Sequence, residues 1–163
     1  MRFQLLLPLV LLLPACQAAP LQPQSSAHEL AIKQFDLVQL QVSHRLIEVQ
    51  LADNTARRGQ GLMGQSPLLH GMLLLQDEIK PMVLWMKNTP EPLDVAFISP
   101  DWTIVSIKQM DAYSETRHPS GSPVIAALEM PLGWFTAQNI QIGSKIIYCP
   151  AMPTSCTGQP KAF

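Results

Sequence analysis

Short apolar runs, separated by proline, glycine and small polar residues, dominate the chain from Phe35 onward. Phe35 to Val42 and Leu46 to Leu51 are apolar-rich, and Ile47, Val49 and Leu51 alternate at period two. That spacing puts alternate side chains on one face of a strand. Asp53-Asn54-Thr55 offers helix N-caps, which predicts one short helix from Ala56 toward Met63. Gly59, Gly61 and Gly64 weaken that helix and predict a turn at its end. Met72 to Leu75 and Val83 to Met86 read as two buried strands. Val95 to Ile98 and Thr103 to Gln109 predict a hairpin across Ser99-Pro100-Asp101-Trp102. Val124 to Met130 and Lys145 to Tyr148 complete the strands, with a short helical turn within Pro131 to Asn139. Fifteen prolines argue against a helical bundle, because proline in a helix interior breaks it. The predicted fold is mainly β: a compact sandwich-like or barrel-like single domain with one or two short helices.

The N-terminal apolar run has a different character. Arg2 precedes Phe3 to Leu13, a run interrupted only by Gln4 and Pro8. A bilayer-spanning helix needs about 20 residues, so this shorter run reads as the core of an export signal. It ends in Leu13-Pro14-Ala15-Cys16, which resembles a bacterial lipobox, with Cys16 as the lipidated residue and Pro14 as a departure. Plain secretion is the alternative. The predicted organisation is a lipoprotein-type signal at residues 1–15, a flexible Gln-, Ala-, Pro- and Ser-rich tether at 16–34, and one β-rich domain at 35–163. Gln17 rather than Asp after Cys16 favours the outer membrane if the source is Gram-negative, with the domain on the periplasmic face.

Cysteine usage fits export. With Cys16 set aside, Cys149 and Cys156 remain to pair with each other in an oxidising compartment. A disulfide closing so short a loop stabilises by about 2–3 kcal/mol in the chain-entropy view. Charge then excludes one class of partner. Arg2 apart, ten basic residues face twelve acidic ones, with no basic stripe, so nucleic acid has no electrostatic footprint to follow.

The block Leu84-Trp85-Met86-Lys87-Asn88-Thr89, followed by Pro90-Glu91-Pro92-Leu93-Asp94, passes abruptly from apolar to polar. It forms part of a larger pattern: Arg58-Gly59-Gln60-Gly61-Leu62-Met63, then Gly71-Met72-Leu73-Leu74, then Trp85-Met86-Lys87-Asn88-Thr89, then Pro92-Leu93-Asp94. Ala127-Leu128-Glu129 before Gly133, and Ile142-Gly143-Ser144-Lys145, continue it. In order and spacing these residues resemble the bacterial and archaeal family called domain of unknown function 192, over about Ile47 to Ile146. Gln65 stands where that family usually has Arg, and Leu84 where it has Phe. The resemblance implies a compact, mainly β domain with little helix, and it implies no activity.

The candidate ligand-binding residues are Arg58, Trp85, Lys87, Asn88, Asp94 and Glu129. An ammonium, an amide and a carboxylate in one tight segment suit a small polar ligand. The plainer reading makes Asn88 and Thr89 turn formers and Asp94 a tie to Lys87 or Arg58. Glu129 lies within an apolar strand and needs a partner, for which Arg58 is the expected guanidinium. Lys87 beside Trp85 and Met86 is the candidate for a depressed pKa. No cofactor is predicted. Met82 and Met86 offer weak soft ligands for Cu(I) against the ordinary use of Met as core filler. No hydrolase elbow, zinc helix or phosphate loop occurs. The preferred function is an envelope domain binding a small polar ligand or a partner protein, held to the membrane by its lipid. The alternatives are an envelope enzyme using Lys87 or Asp94 as acid or base, and a Met/Trp copper-binding protein.

Overall fold

The computed structural model describes residues 35–149. The signal, Cys16, the tether and Cys156 lie outside the described residues, as does the expected bridge from Cys149 to Cys156. The element order is β1 (Asp36–Val42), β2 (Arg45–Ala52), α1 (Thr55–Gln60), β3 (Gly71–Leu84), β4 (Leu93–Ile98), β5 (Ile104–Met110), β6 (His118–Pro131), α2 (Trp134–Ala137) and β7 (Ile146–Cys149). Mainly β with two short helices is what the hydrophobic pattern predicts. The architecture is one seven-stranded sheet in the order β5-β4-β6-β3-β2-β1-β7. Only β2 and β3 pair in parallel, and α1 lies in the crossover between them.

The sheet curls into a half-barrel with apolar side chains on both faces. One cluster includes Leu40, Val49, Leu73, Ile98, Leu128, Phe135 and Ile146. The other includes Leu62, Met72, Leu74, Met82, Met86, Val95, Phe97 and Ala127. Central strands that bury both faces read as continuous apolar runs rather than alternating ones. That is why all six residues of β4 are buried.

The two predicted strands Met72 to Leu75 and Val83 to Met86 are one strand carrying an irregularity. The register against β6 shifts between Leu75 and Lys80, where Asp77, Glu78, Ile79 and Lys80 are exposed. Extra residues on one strand leave ladder groups unpaired, and such groups need other partners. The buried Gln76 amide donates to the Lys80 carbonyl at 3.0 Å and to the Val124 carbonyl at 2.8 Å. Met86 falls past the strand end, as a buried residue of the second cluster.

The two edges of the sheet meet. Thr103 bridges Lys145, Ile104 N–H donates to the Ser144 carbonyl, and Ile146 N–H donates to the Trp102 carbonyl, both at 2.9 Å. Trp102 stacks on Tyr148 with ring centroids 5.8 Å apart. The Lys145 ammonium lies 2.7 Å from the Asp101 carboxylate and, with two neighbouring hydroxyls, holds it below the usual carboxylate range.

Candidate functional site

Over the second face of the sheet, α1 and the outer half of β3 leave a cavity of about 400 Å³. That lies within the usual range for small-molecule sites, about 300–1,000 Å³. Helix α1 supplies one wall. Asn54 caps it, its side chain accepting from Arg57 N–H at 2.9 Å, and Gly61 ends it at a positive φ of 50°. No residue of this six-residue helix is buried, so tertiary contacts must hold it. Arg58 supplies one, donating to the Leu75 carbonyl at 2.8 Å and pairing with Asp77 at 3.4 Å. The guanidinium thus ties the helix to the irregular stretch of β3.

Leu62, Met63, Leu74, Met82, Leu84 and Trp85 give the cavity apolar walls, and Gln60, Gln76 and Thr89 give it polar points. Glu129 also lines it. The side chain stems from β6 in the middle of the sheet, opposite Met72 on β3 and Val95 on β4. Both neighbours belong to the second apolar cluster, so the carboxyl shares their face. Glu129 is 5% exposed and its carboxyl opens on the cavity, while the fully buried side-chain atoms without a partner among the described residues are Asp94 Oδ1 and His118 Nε2. Burial pushes its pKa up to about 7, because an apolar setting disfavours the charged form. Among the described residues, Glu129 and Arg58 are the charged side chains lining the cavity. The expected Arg58–Glu129 tie is not made. Arg58 turns to the β3 carbonyl and to Asp77 because the irregular stretch brings both to the helix.

Trp85 stands at the cavity wall with 38% of its surface exposed. Lys87 Nζ lies 5.3 Å from its ring centroid and the Arg117 guanidinium carbon 5.5 Å. Each is within cation–π range. Asn88 is exposed and takes φ of 58° in the turn closed by Thr89 N–H donating to the Met86 carbonyl. Asn tolerates that left-handed conformation better than most residues. Its carbonyl accepts from Gly64 N–H at 2.9 Å, fastening this turn to the segment after α1.

Asp94 lies elsewhere. Its strand neighbours Ala96 and Ile98 belong to the first apolar cluster, whereas Val95 belongs to the second, so its side chain leaves the sheet on the face away from Glu129. It is 2% exposed and its Oδ2 accepts from Gly133 N–H at 2.9 Å, tying β4 to the start of α2. Neither the expected Lys87 tie nor the Arg58 tie forms: Arg58 lines the cavity on the other face, and Lys87 lies beside the Trp85 ring.

Of the six predicted residues, the fold therefore brings Arg58, Trp85 and Glu129 to one cavity. It sets Lys87 over the Trp85 ring, uses Asn88 in the adjoining turn, and separates Asp94. Met82 lines the cavity and Met86 is buried in the core. Among the described residues, no group of three or more His, Cys, Asp or Glu side chains is placed to hold a metal. Arg117 and Gln76 were not expected. Gln76 carried a legible signal, a polar residue directly after an apolar strand. Arg117 carried none, because its approach to Trp85 follows from Leu84 pairing with His118.

Gln65, which replaces the Arg usual in the resembled family, is 2% exposed. It exchanges amide hydrogen bonds with Gln50 at 2.8 and 3.0 Å. The position serves a buried polar pair outside the cavity lining.

Comparison with known proteins agrees with the resemblance in the sequence. Residues 38–148 match the family model DUF192, described as "Uncharacterized ACR". A solved Sinorhizobium meliloti structure, provisionally described as a transcription regulator, is 30% identical with a TM-score of 0.68, over 70% of this chain and 95% of that one. A Novosphingobium aromaticivorans protein of unknown function is 27% identical with a TM-score of 0.66, over 80% of this chain and 93% of that one. No curated protein matches. The chain belongs to the DUF192 family, a family of unknown function.

Proposed function

We propose that this protein is an exported, lipid-anchored envelope domain that binds a small polar ligand in the cavity over the second sheet face. The observation that carries the reading is Glu129. A carboxyl taken out of water without a partner costs free energy unless it is neutral or meets a donor. An apolar residue there would pack against Met72 and Val95 without that cost. A hydroxyl or ammonium of a bound ligand supplies the missing donor. The apolar walls add burial, and Gln60 and Gln76 add orientation. Export and anchoring rest on Arg2, the run Phe3 to Leu13 and the Ala15-Cys16 pair. Transcriptional regulation, the description given to the Sinorhizobium protein, is not carried over. The charge balance and the missing basic stripe give DNA nothing to hold.

Native mass spectrometry of the full-length protein, extracted from its own membranes in mild detergent, tests the reading. A retained small molecule is expected in the natural protein and in Asp94→Asn, whose side chain still accepts from Gly133. Glu129→Leu, which fills the floor and removes the acceptor, is expected to arrive empty. Equal retention by Glu129→Leu would remove the cavity from consideration.

A further inference from the structure

We propose that the mouth of this cavity recognises an anion, so that the ligand is a small organic anion with a hydrogen-bond donor at its opposite end. The inference rests on the cavity being a ligand site and adds the class of ligand. Lys87 follows β3 and Arg117 precedes β6, and the pairing of Leu84 with His118 brings them to the same indole. Both side chains are exposed, and their cationic groups lie 5.3 and 5.5 Å from the Trp85 centroid. Ion pairs among the described residues occupy Arg57, Arg58, Lys80 and Lys145, but neither Lys87 nor Arg117.

Two like charges beside one indole repel each other, and an anion drawn to that rim lowers the repulsion. The guanidinium adds a planar fork suited to carboxylate or phosphate. Glu129, toward the far end of β6 from Arg117, is the acidic residue lining the cavity among the described residues. Between the ends, Leu62, Met63, Leu74 and Met82 are apolar. A ligand matching this order carries an ammonium or hydroxyl inward, an apolar middle, and a negative group at the indole. The same ligand turned end for end would meet repulsion at both ends, so the two charges fix its direction of entry.

Calorimetric titration of the full-length protein in neutral detergent at pH 8 tests this with three probes of equal chain length. ε-Aminocaproate carries both end groups, hexylamine the donor alone, and hexanoate the anion alone. ε-Aminocaproate is expected to bind at least about tenfold more tightly than either of the others. In the double variant Lys87→Met, Arg117→Met that advantage over hexylamine should vanish, with hexylamine affinity unchanged. Added sodium chloride should shrink the same advantage in the natural protein. Equal affinity for ε-aminocaproate and hexylamine, abolished in both by Glu129→Gln, would overturn the anion site and leave the cavity reading standing. Absence of binding by all three probes would overturn both.

Discussion

At pH 8 the Glu129 side chain is an anion in a largely apolar cavity, and at pH 4 it is a neutral acid that fits its surroundings. Burial raises its folded-state pKa from 4.5 to about 7, and among the described residues Arg58 is the other charged group lining the cavity. Arg58 is already engaged by Asp77 and the Leu75 carbonyl. The sign of the linkage follows from the raised value. Between those two pKa values the folded state binds the proton that the unfolded state has released. Stability from this group is complete below about pH 4.5, falls as pH rises toward 7, and stays low above it. Each pKa unit corresponds to about 1.4 kcal/mol, so the charged carboxyl costs on the order of 3 kcal/mol at pH 8. Glu129→Gln keeps the shape and removes the charge. Urea unfolding should show the variant matching the natural protein near pH 4 and exceeding it by roughly that amount at pH 8. A gap of the same size at both pH values would mean that the carboxyl is already compensated. Saturation with an amine ligand should narrow the gap at pH 8, because the ligand stabilises only the natural protein.

Between elements, the same contrast of satisfied and unsatisfied polar groups recurs with the opposite outcome. Gln50 on β2 and Gln65 after α1 are both buried; each amide gives one hydrogen bond to the other, and Gln50 Nε2 also donates to the His70 carbonyl at 3.3 Å. Replacing one leaves the other buried with lost partners, at about 1–3 kcal/mol, whereas replacing both with apolar residues orphans neither amide and takes a donor from the part-buried His70 carbonyl. Gln50→Leu and Gln65→Leu should each destabilise, and the double variant should lose clearly less than the two single losses added together. Strict additivity in thermal or urea unfolding would show that the amides act independently. The strands and both short helices were legible from hydrophobic spacing and from Asn54 as a cap. The unity of β3 was not, because Asp77, Glu78, Ile79 and Lys80 look like a loop. They leave the ladder while Gln76 bonds across it, and no local pattern encodes an amide reaching Val124. Glu129 was legible as a residue needing a partner, since it is a charge in an apolar run. That Arg58 would not be that partner depended on where β3 placed Asp77, which is again a tertiary fact.

Across the whole molecule, the order β5-β4-β6-β3-β2-β1-β7 places the chain's last described strand at the edge opposite β5. Sequence spacing cannot reveal such an order, because the pairings β3 with β6 and β1 with β7 join segments far apart in the chain. Unpaired edges invite association with other chains, and here the curl brings the two edges into contact with each other. Trp102 occupies that seam. It is 5% exposed, takes φ of 60°, stacks on Tyr148, and accepts Ile146 N–H through its carbonyl. A non-glycine residue at positive φ persists only where its surroundings fix it, and the indole packing does so here. The Asp101–Lys145 pair at the same seam is exposed, and exposed pairs contribute little. Trp102→Ala should therefore cost about 3–5 kcal/mol, the usual range for truncating a buried aromatic. Lys145→Ala should leave the thermal midpoint nearly unchanged. Hydrogen exchange on Trp102→Ala separates a local from a global effect. Ile104 and Ile146, whose amides cross the seam, should lose far more protection than Leu73 and Leu128 in the central strands. Uniform loss across all four would show that the edges are held by the core alone and that the seam is only where they happen to lie.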